Sequence, residues 1–133
     1  MTHWAIRYIG DEWVTREHDC WGFVRRVYRE QFGIAVPAVD VDSLNLRASI
    51  DAFSGNEERA NWVRIDQPED GCAVLMGLGR HPTHVGIWCD VDGGGVVHAI
   101  QKAGVVFQGR TSLSLAGWNM HSFYRRRECS PRQ

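Results

Sequence analysis

An α+β fold is what this sequence predicts, and three observations predict it. One strong helical pattern stands early, from Cys20 to Phe32. Short β-patterned runs fill the second half. Clusters of glycine, proline and aspartate separate those runs. A helix first and antiparallel strands after define the class. The 133 residues suit one domain, 1–133, able to bury a core of its own.

Taken in order, Ile6 to Gly10 reads as a short apolar segment closed by glycine. Asp11 to His18 reads as loop. Asp19 is a good helix cap. From Cys20, apolar side chains recur at Phe23, Val24, Val27, Tyr28 and Phe32, which is helical spacing. Arg25, Arg26, Arg29 and Glu30 fall on the other side. Gly33 stands at the stop position, and Pro37 follows. A second helix is expected from Ser43 to about Phe53. Trp62 to Ile65 alternates as a strand, and Gln67 to Gly71 has turn chemistry. Further strands are expected at Cys72–Met76, His84–Cys89, Val96–Ile100, Val105–Gln108 and Ser122–Arg125. A glycine-rich loop joins the first two of these, and Asp90–Gly95 forms a hairpin loop.

Composition removes several function classes. Net charge is −1, so no global basic field draws nucleic acid, and none is expected as a partner. Arg125, Arg126, Arg127 and Arg132 form one basic cluster, read as a solvated tail. No apolar run approaches the ~18 residues of a membrane span, so no membrane partner is expected. Met1 to Gly10 lacks a basic region followed by an apolar stretch. The expectation is cytosolic synthesis without a cleaved leader, so action outside the cell would need separate delivery. The four cysteines, Cys20, Cys72, Cys89 and Cys129, lie far apart with no CxxC pair, and read as free thiols. Zinc-ligand spacings are absent, and neither a metal nor an organic cofactor is expected.

Chemistry concentrates at three positions. Cys20 opens the helix, where unpaired N–H groups and the helix dipole favour a thiolate. Backbone donors there could also hold an oxyanion. The bland alternative is a structural cysteine. A cysteine nucleophile needs a base. On the strand after the loop, Val85, Ile87 and Cys89 share the core face. His84, Gly86 and Trp88 share the other, which is read as open and suited to a substrate groove. The base needs an orienting partner, and the next strand offers His98 and Gln101. A two-residue turn at Asp92-Gly93 would set Gln101 opposite His84. An odd-numbered loop would put His98 on His84's face. The run of three glycines favours the longer loop and His98, though spacing alone leaves both open.

These residues resemble a known family. Asp19-Cys20-Trp21-Gly22-Phe23-Val24 is similar to the nucleophile motif of the NlpC/p60 cysteine peptidases. His84-Val85-Gly86-Ile87-Trp88 is similar to their histidine strand, and Val97-His98-Ala99 to the strand carrying their third polar residue. The turn ending at Gly71 resembles their proline-x-glycine-aspartate turn, with Cys72 in place of aspartate. Tyr8-Ile9-Gly10 with Trp13 resembles their opening segment. The resemblance spans about Tyr8 to Gln108.

It implies a papain-like α+β fold, with a nucleophile helix packed on an antiparallel sheet. It implies Cys20 as nucleophile, His84 as base and His98 as orienting residue. Trp13, Asp19 and Trp21 are then expected at the substrate. That substrate is implied to be a peptidoglycan stem peptide, cut near D-glutamate and a diamino acid. Trp21 replaces a serine that many members use to bind the free amine of the stem peptide. Trp21, Arg25-Arg26, Tyr28-Arg29-Glu30 and Phe123-Tyr124-Arg125 resemble a subgroup of phage and prophage tail proteins. Tail proteins are thus an implied partner. Two other classes remain alternatives: a non-catalytic tail module, and a thiol amidase or acyltransferase on the same fold.

Overall fold

The computed structural model describes residues 3–13, 20–36, 61–80 and 83–129. The expected helix over 43–53, the cap Asp19 and His81 lie outside these residues.

The opening segment is not extended. Trp4–Tyr8 forms a 3-10 helix, begun by His3, whose Nδ1 accepts from the Ala5 N–H at 3.1 Å. Side chains three apart line up in such a helix. Ala5 and Tyr8 therefore turn inward, while Ile6 stays exposed. The apolar stretch expected at 6–10 is thus half surface.

Helix α1 covers Cys20–Phe32, as the spacing predicts. Cys20 to Val24, Val27 and Tyr28 are buried, so its inward stripe is widest at the N-terminal end. Gly33, at φ +68, adopts the left-handed conformation that ends it. On the outer side, Arg26 pairs with Asp11 at 2.5 Å and with Glu30 at 3.5 Å. The Tyr8 hydroxyl donates to Glu30 at 2.7 Å. The opening segment is thereby fastened to α1.

Six strands follow: β1 Trp62–Ile65, β2 Ala73–Gly77, β3 His84–Cys89, β4 Gly95–Ile100, β5 Gly104–Gly109 and β6 Asn119–Arg126. They form one antiparallel sheet in the order β1-β6-β2-β3-β4-β5. β6 is twice the expected length and runs through the sheet rather than along its margin. A short helix that the sequence reading did not anticipate, α2 (Arg110–Leu115), joins β5 to β6.

The sheet is covered on both faces. One face carries Ala73, Val85, Ile87, Cys89, Val97 and Ala99 against α1, forming the main core. The other carries Cys72, Val74, Met76, Trp88, Val96 and Leu113 of α2. This second core corrects the expectation of an open face beside His84. Trp88 is buried there, and Trp118 and Met120 pack against the same cluster.

The tail reading of the arginines also fails where the structure describes them. Arg125 and Arg126 belong to β6. Arg125 pairs with Glu69 at 2.7 Å. Arg126 pairs with Glu128 at 3.0 Å and lies over the Trp62 ring. Arg132 lies outside the described residues.

One detail places the opening segment against the sheet. The Gly10 N–H donates to the Val105 carbonyl at 2.9 Å, and the Val105 N–H donates to the Asp11 carbonyl at 2.8 Å. The backbone at Gly10 and Asp11 thus lies along β5, the last strand of the sheet. A side chain at Gly104 would strike the Asp11 carbonyl, so glycine is required there.

Candidate active site

The β3–β4 hairpin decides which polar residue meets His84. Ile87 pairs with Val97, Trp88 with Val96 and Cys89 with Gly95. Residues 90–94 form the loop, an odd number, with Asp92, Gly93 and Gly94 all at positive φ. Continuing the register sets Gly86 across from His98, on His84's face. Gln101 falls in the turn after β4 and is exposed. A Cβ at Gly86 would lie 2.9 Å from the His98 Cβ, too close for any other residue without displacement. The glycine between His84 and Trp88 is therefore what admits the second histidine.

The structure brings the two histidines together. His84 Nε2 lies 2.9 Å from His98 Nδ1. His98 Nε2 in turn lies 2.8 Å from Gln108 Oε1 on β5. Gln108 Nε2 donates to Ser112 Oγ on α2 at 3.2 Å. The Trp118 ring stacks on His84 at 4.8 Å and meets His98 edge-on at 5.5 Å. His98 is fully buried. It is a packed histidine, yet both ring nitrogens are engaged.

Burial governs the charge of both rings. It pushes His84 down to about 3, with His98 adding a smaller push in the same direction. It pushes His98 down to about 4, against a weaker upward pull from Gln108. Both are therefore neutral near pH 7. A neutral imidazole accepts a proton, which is the state a general base needs. His84 spends Nε2 on His98, which leaves Nδ1 for a reacting group.

Cys20 is the first residue of α1 and 7% exposed. It belongs to the main core with Val85 and Val97, the chain neighbours of His84 and His98. The other described thiols are in different circumstances. Burial pushes Cys72 and Cys89 each up to about 12, which makes both inert at neutral pH. Cys89 lies on the core face, where alternation along β3 put it. Cys72 stands in a tight turn, and its sulfur accepts the Glu69 N–H at 3.4 Å. The thiol thus takes up a backbone donor at the position where aspartate was expected.

The expected substrate residues divide. Trp13 is partly buried against the main core. Its indole Nε1 is buried with no hydrogen-bond partner. Trp21 is packed in the core, its ring 6.2 Å from that of Trp62. Asp19 lies outside the described residues. Gln108, Ser112 and Trp118 were missed. Gln108 had a signal, as a polar residue inside a β-run on the face of His98. Ser112 and Trp118 had none. Among the described residues, no group of three or more His, Cys, Asp or Glu is placed to hold a metal ion.

A helix opening on a cysteine and packed on an antiparallel sheet is the α+β architecture of the papain-like fold. Within that class, the model of the NlpC/P60 family matches residues 7–127. The chain belongs to this family. Its members are generally cysteine peptidases or amidases, and the family acts on peptidoglycan peptides. No curated protein matches the chain.

Proposed function

We propose that this protein is a cysteine peptidase that hydrolyses peptide bonds in peptidoglycan stem peptides through Cys20, His84 and His98. The observation that carries the reading is the 2.9 Å bond between the two histidines, on strands against which a helix beginning at Cys20 packs. In the proposed cycle, His84 Nδ1 takes the Cys20 thiol proton as sulfur attacks the scissile carbonyl. The Cys20 backbone N–H, at the helix start, helps hold the oxyanion. The intermediate collapses, the C–N bond breaks, and His84 returns the proton to the leaving amine. Water, deprotonated by His84, then cleaves the thioester and frees the thiol. His98 holds the His84 ring and its tautomer throughout.

Trp13 is proposed as a peptide contact. Its unpartnered buried N–H carries a desolvation cost that a substrate carbonyl would offset. Trp21 is proposed to act behind the site, as packing beneath it. A tail-associated role is the finer part of the proposal and rests on the subgroup resemblance. In that reading a phage or prophage tail delivers the enzyme to the wall. Several of the resembling residues also have local partners here. Arg26 pairs with Asp11, and the Tyr28 hydroxyl donates to the Gly71 carbonyl.

The test is brief treatment with limiting iodoacetamide at pH 7, read by mass spectrometry. In parallel, purified peptidoglycan is digested with wild type and Cys20→Ala. The expected result is selective labelling of Cys20 and muropeptide release that Cys20→Ala abolishes. Slow, uniform labelling with no release by wild type would sink the peptidase reading and favour a non-catalytic tail module. Transfer to an added amine, in place of hydrolysis, would favour an acyltransferase.

A further inference from the structure

The chain of bonds does not stop at His98. Gln108 presents its amide to that ring, and the amide has two ends of opposite character. Its Nε2 donates to Ser112 Oγ, four residues on and in the first turn of α2. With Nε2 on Ser112, Oε1 faces His98 Nε2 at 2.8 Å. A carbonyl oxygen can only accept, so the proton of a neutral His98 must sit on Nε2. His98 Nδ1 then holds a lone pair. It accepts from His84 Nε2–H across 2.9 Å. With its proton on Nε2, His84 has a bare Nδ1. One amide orientation therefore fixes the proton positions of two imidazoles in sequence.

We propose that Gln108 is a positioning residue: anchored by Ser112, it holds His98 in the Nε2–H tautomer and thereby keeps His84 Nδ1 free to act as base. The functional half of this rests on the peptidase reading above, while the tautomer half does not. Without the acceptor, His98 is free to move its proton to Nδ1. It would then donate to His84 Nε2 and drive the His84 proton onto Nδ1. In that tautomer His84 has no lone pair at the atom meant for the thiol.

The experiment uses full-length protein labelled with 15N-histidine, in wild type, Gln108→Leu and Gln108→Glu. Long-range 1H–15N correlation at pH 7.5 reads the tautomer of each ring. Peptidoglycan hydrolysis gives kcat and KM. Wild type is expected to show Nε2–H at both His84 and His98. Gln108→Leu is expected to show Nδ1–H or a mixture at His98, with kcat lower by about 100-fold, a smaller loss than the ~10⁴ of a triad locked in the wrong tautomer because the proton is released, not trapped. KM is expected to move by less than about 3-fold, because ground-state binding is untouched. Gln108→Glu keeps an acceptor and should retain the Nε2–H tautomer and most of kcat. Nδ1–H at His98 in wild type would overturn the proposal, as would wild-type tautomers and kcat in Gln108→Leu. Should Gln108→Leu not fold, the wild-type and Gln108→Glu spectra decide. Wild type without hydrolysis would count against the peptidase reading, and the tautomer spectra would still judge Gln108.

Discussion

The two faces of the sheet are built alike and used differently. Against α1, the inward positions are almost all apolar, from Ala73 through Ala99. Against α2, the face of Trp88, Val96 and Leu113 also carries His84, His98 and Gln108. The first face resembles a stability device. The second is a smaller core with a hydrogen-bonded polar line running through it. Buried polar lines are tolerated only when each member finds a partner. Here His98 has one on each nitrogen. The histidine half of the candidate site thus lies where the core is smaller and polar satisfaction does more of the ordering, while Cys20 belongs to the main core.

If the faces differ in this way, substitutions should separate activity from stability. The largest contrast is expected between His98→Ala and Gln101→Ala. The first should lower peptidoglycan hydrolysis by about 100-fold or more. The second, in an exposed turn, should leave it within about 2-fold. Equal effects on kcat would erase the distinction drawn for the polar line.

A pH titration of unfolding should also report the second face. His84 and His98 are both held below the usual ~6.5 of histidine, so the unfolded chain binds their protons first. Their contribution to stability is complete above about pH 6.5 and is lost as pH falls toward 4. For the fully buried His98 the slope approaches ~1.4 kcal/mol per pH unit. Chemical denaturation between pH 7.5 and 5 would show it, and His98→Asn should flatten the curve. An unchanged slope in that variant would place the acid sensitivity elsewhere.

The smallest effect belongs to the first face. Cys89→Ala should reduce stability by about 1–2 kcal/mol and leave catalysis intact. A folded Cys89→Ala protein without activity would join the two faces that the structure separates.

Legibility in the sequence follows the same division. α1 was legible, from about Cys20 to about Phe32, because Cys20, Val24, Val27 and Tyr28 repeat at helical spacing between a cap and Gly33. β3 was equally plain, since Val85, Ile87 and Cys89 alternate. Three consecutive glycines favour an odd hairpin loop and His98 over Gln101, but spacing leaves both open, and it is the register of β3 on β4 that sets His98 on His84's face. What the sequence hid was whatever covers the second face. α2 spans six residues and buries only Leu113, too little to show a period. Trp118 lies in a connection, where no repeat marks it. The face beside His84 therefore looked open. The 3-10 turn at Trp4–Tyr8 was missed for a related reason, as five residues give no room for a pattern.

The lie of the backbone at Gly10 and Asp11 along β5 has a bearing on handling the protein. An exposed sheet margin offers unpaired donors and acceptors to any strand that drifts past, including one from a second molecule. The Gly10 and Asp11 groups occupy those at Val105 first. A version of the protein trimmed to begin at α1 would keep its helix and its histidines but lose Ala5 and Tyr8 from the main core. It would also carry a sticky border, and should come out of the expression host as aggregate.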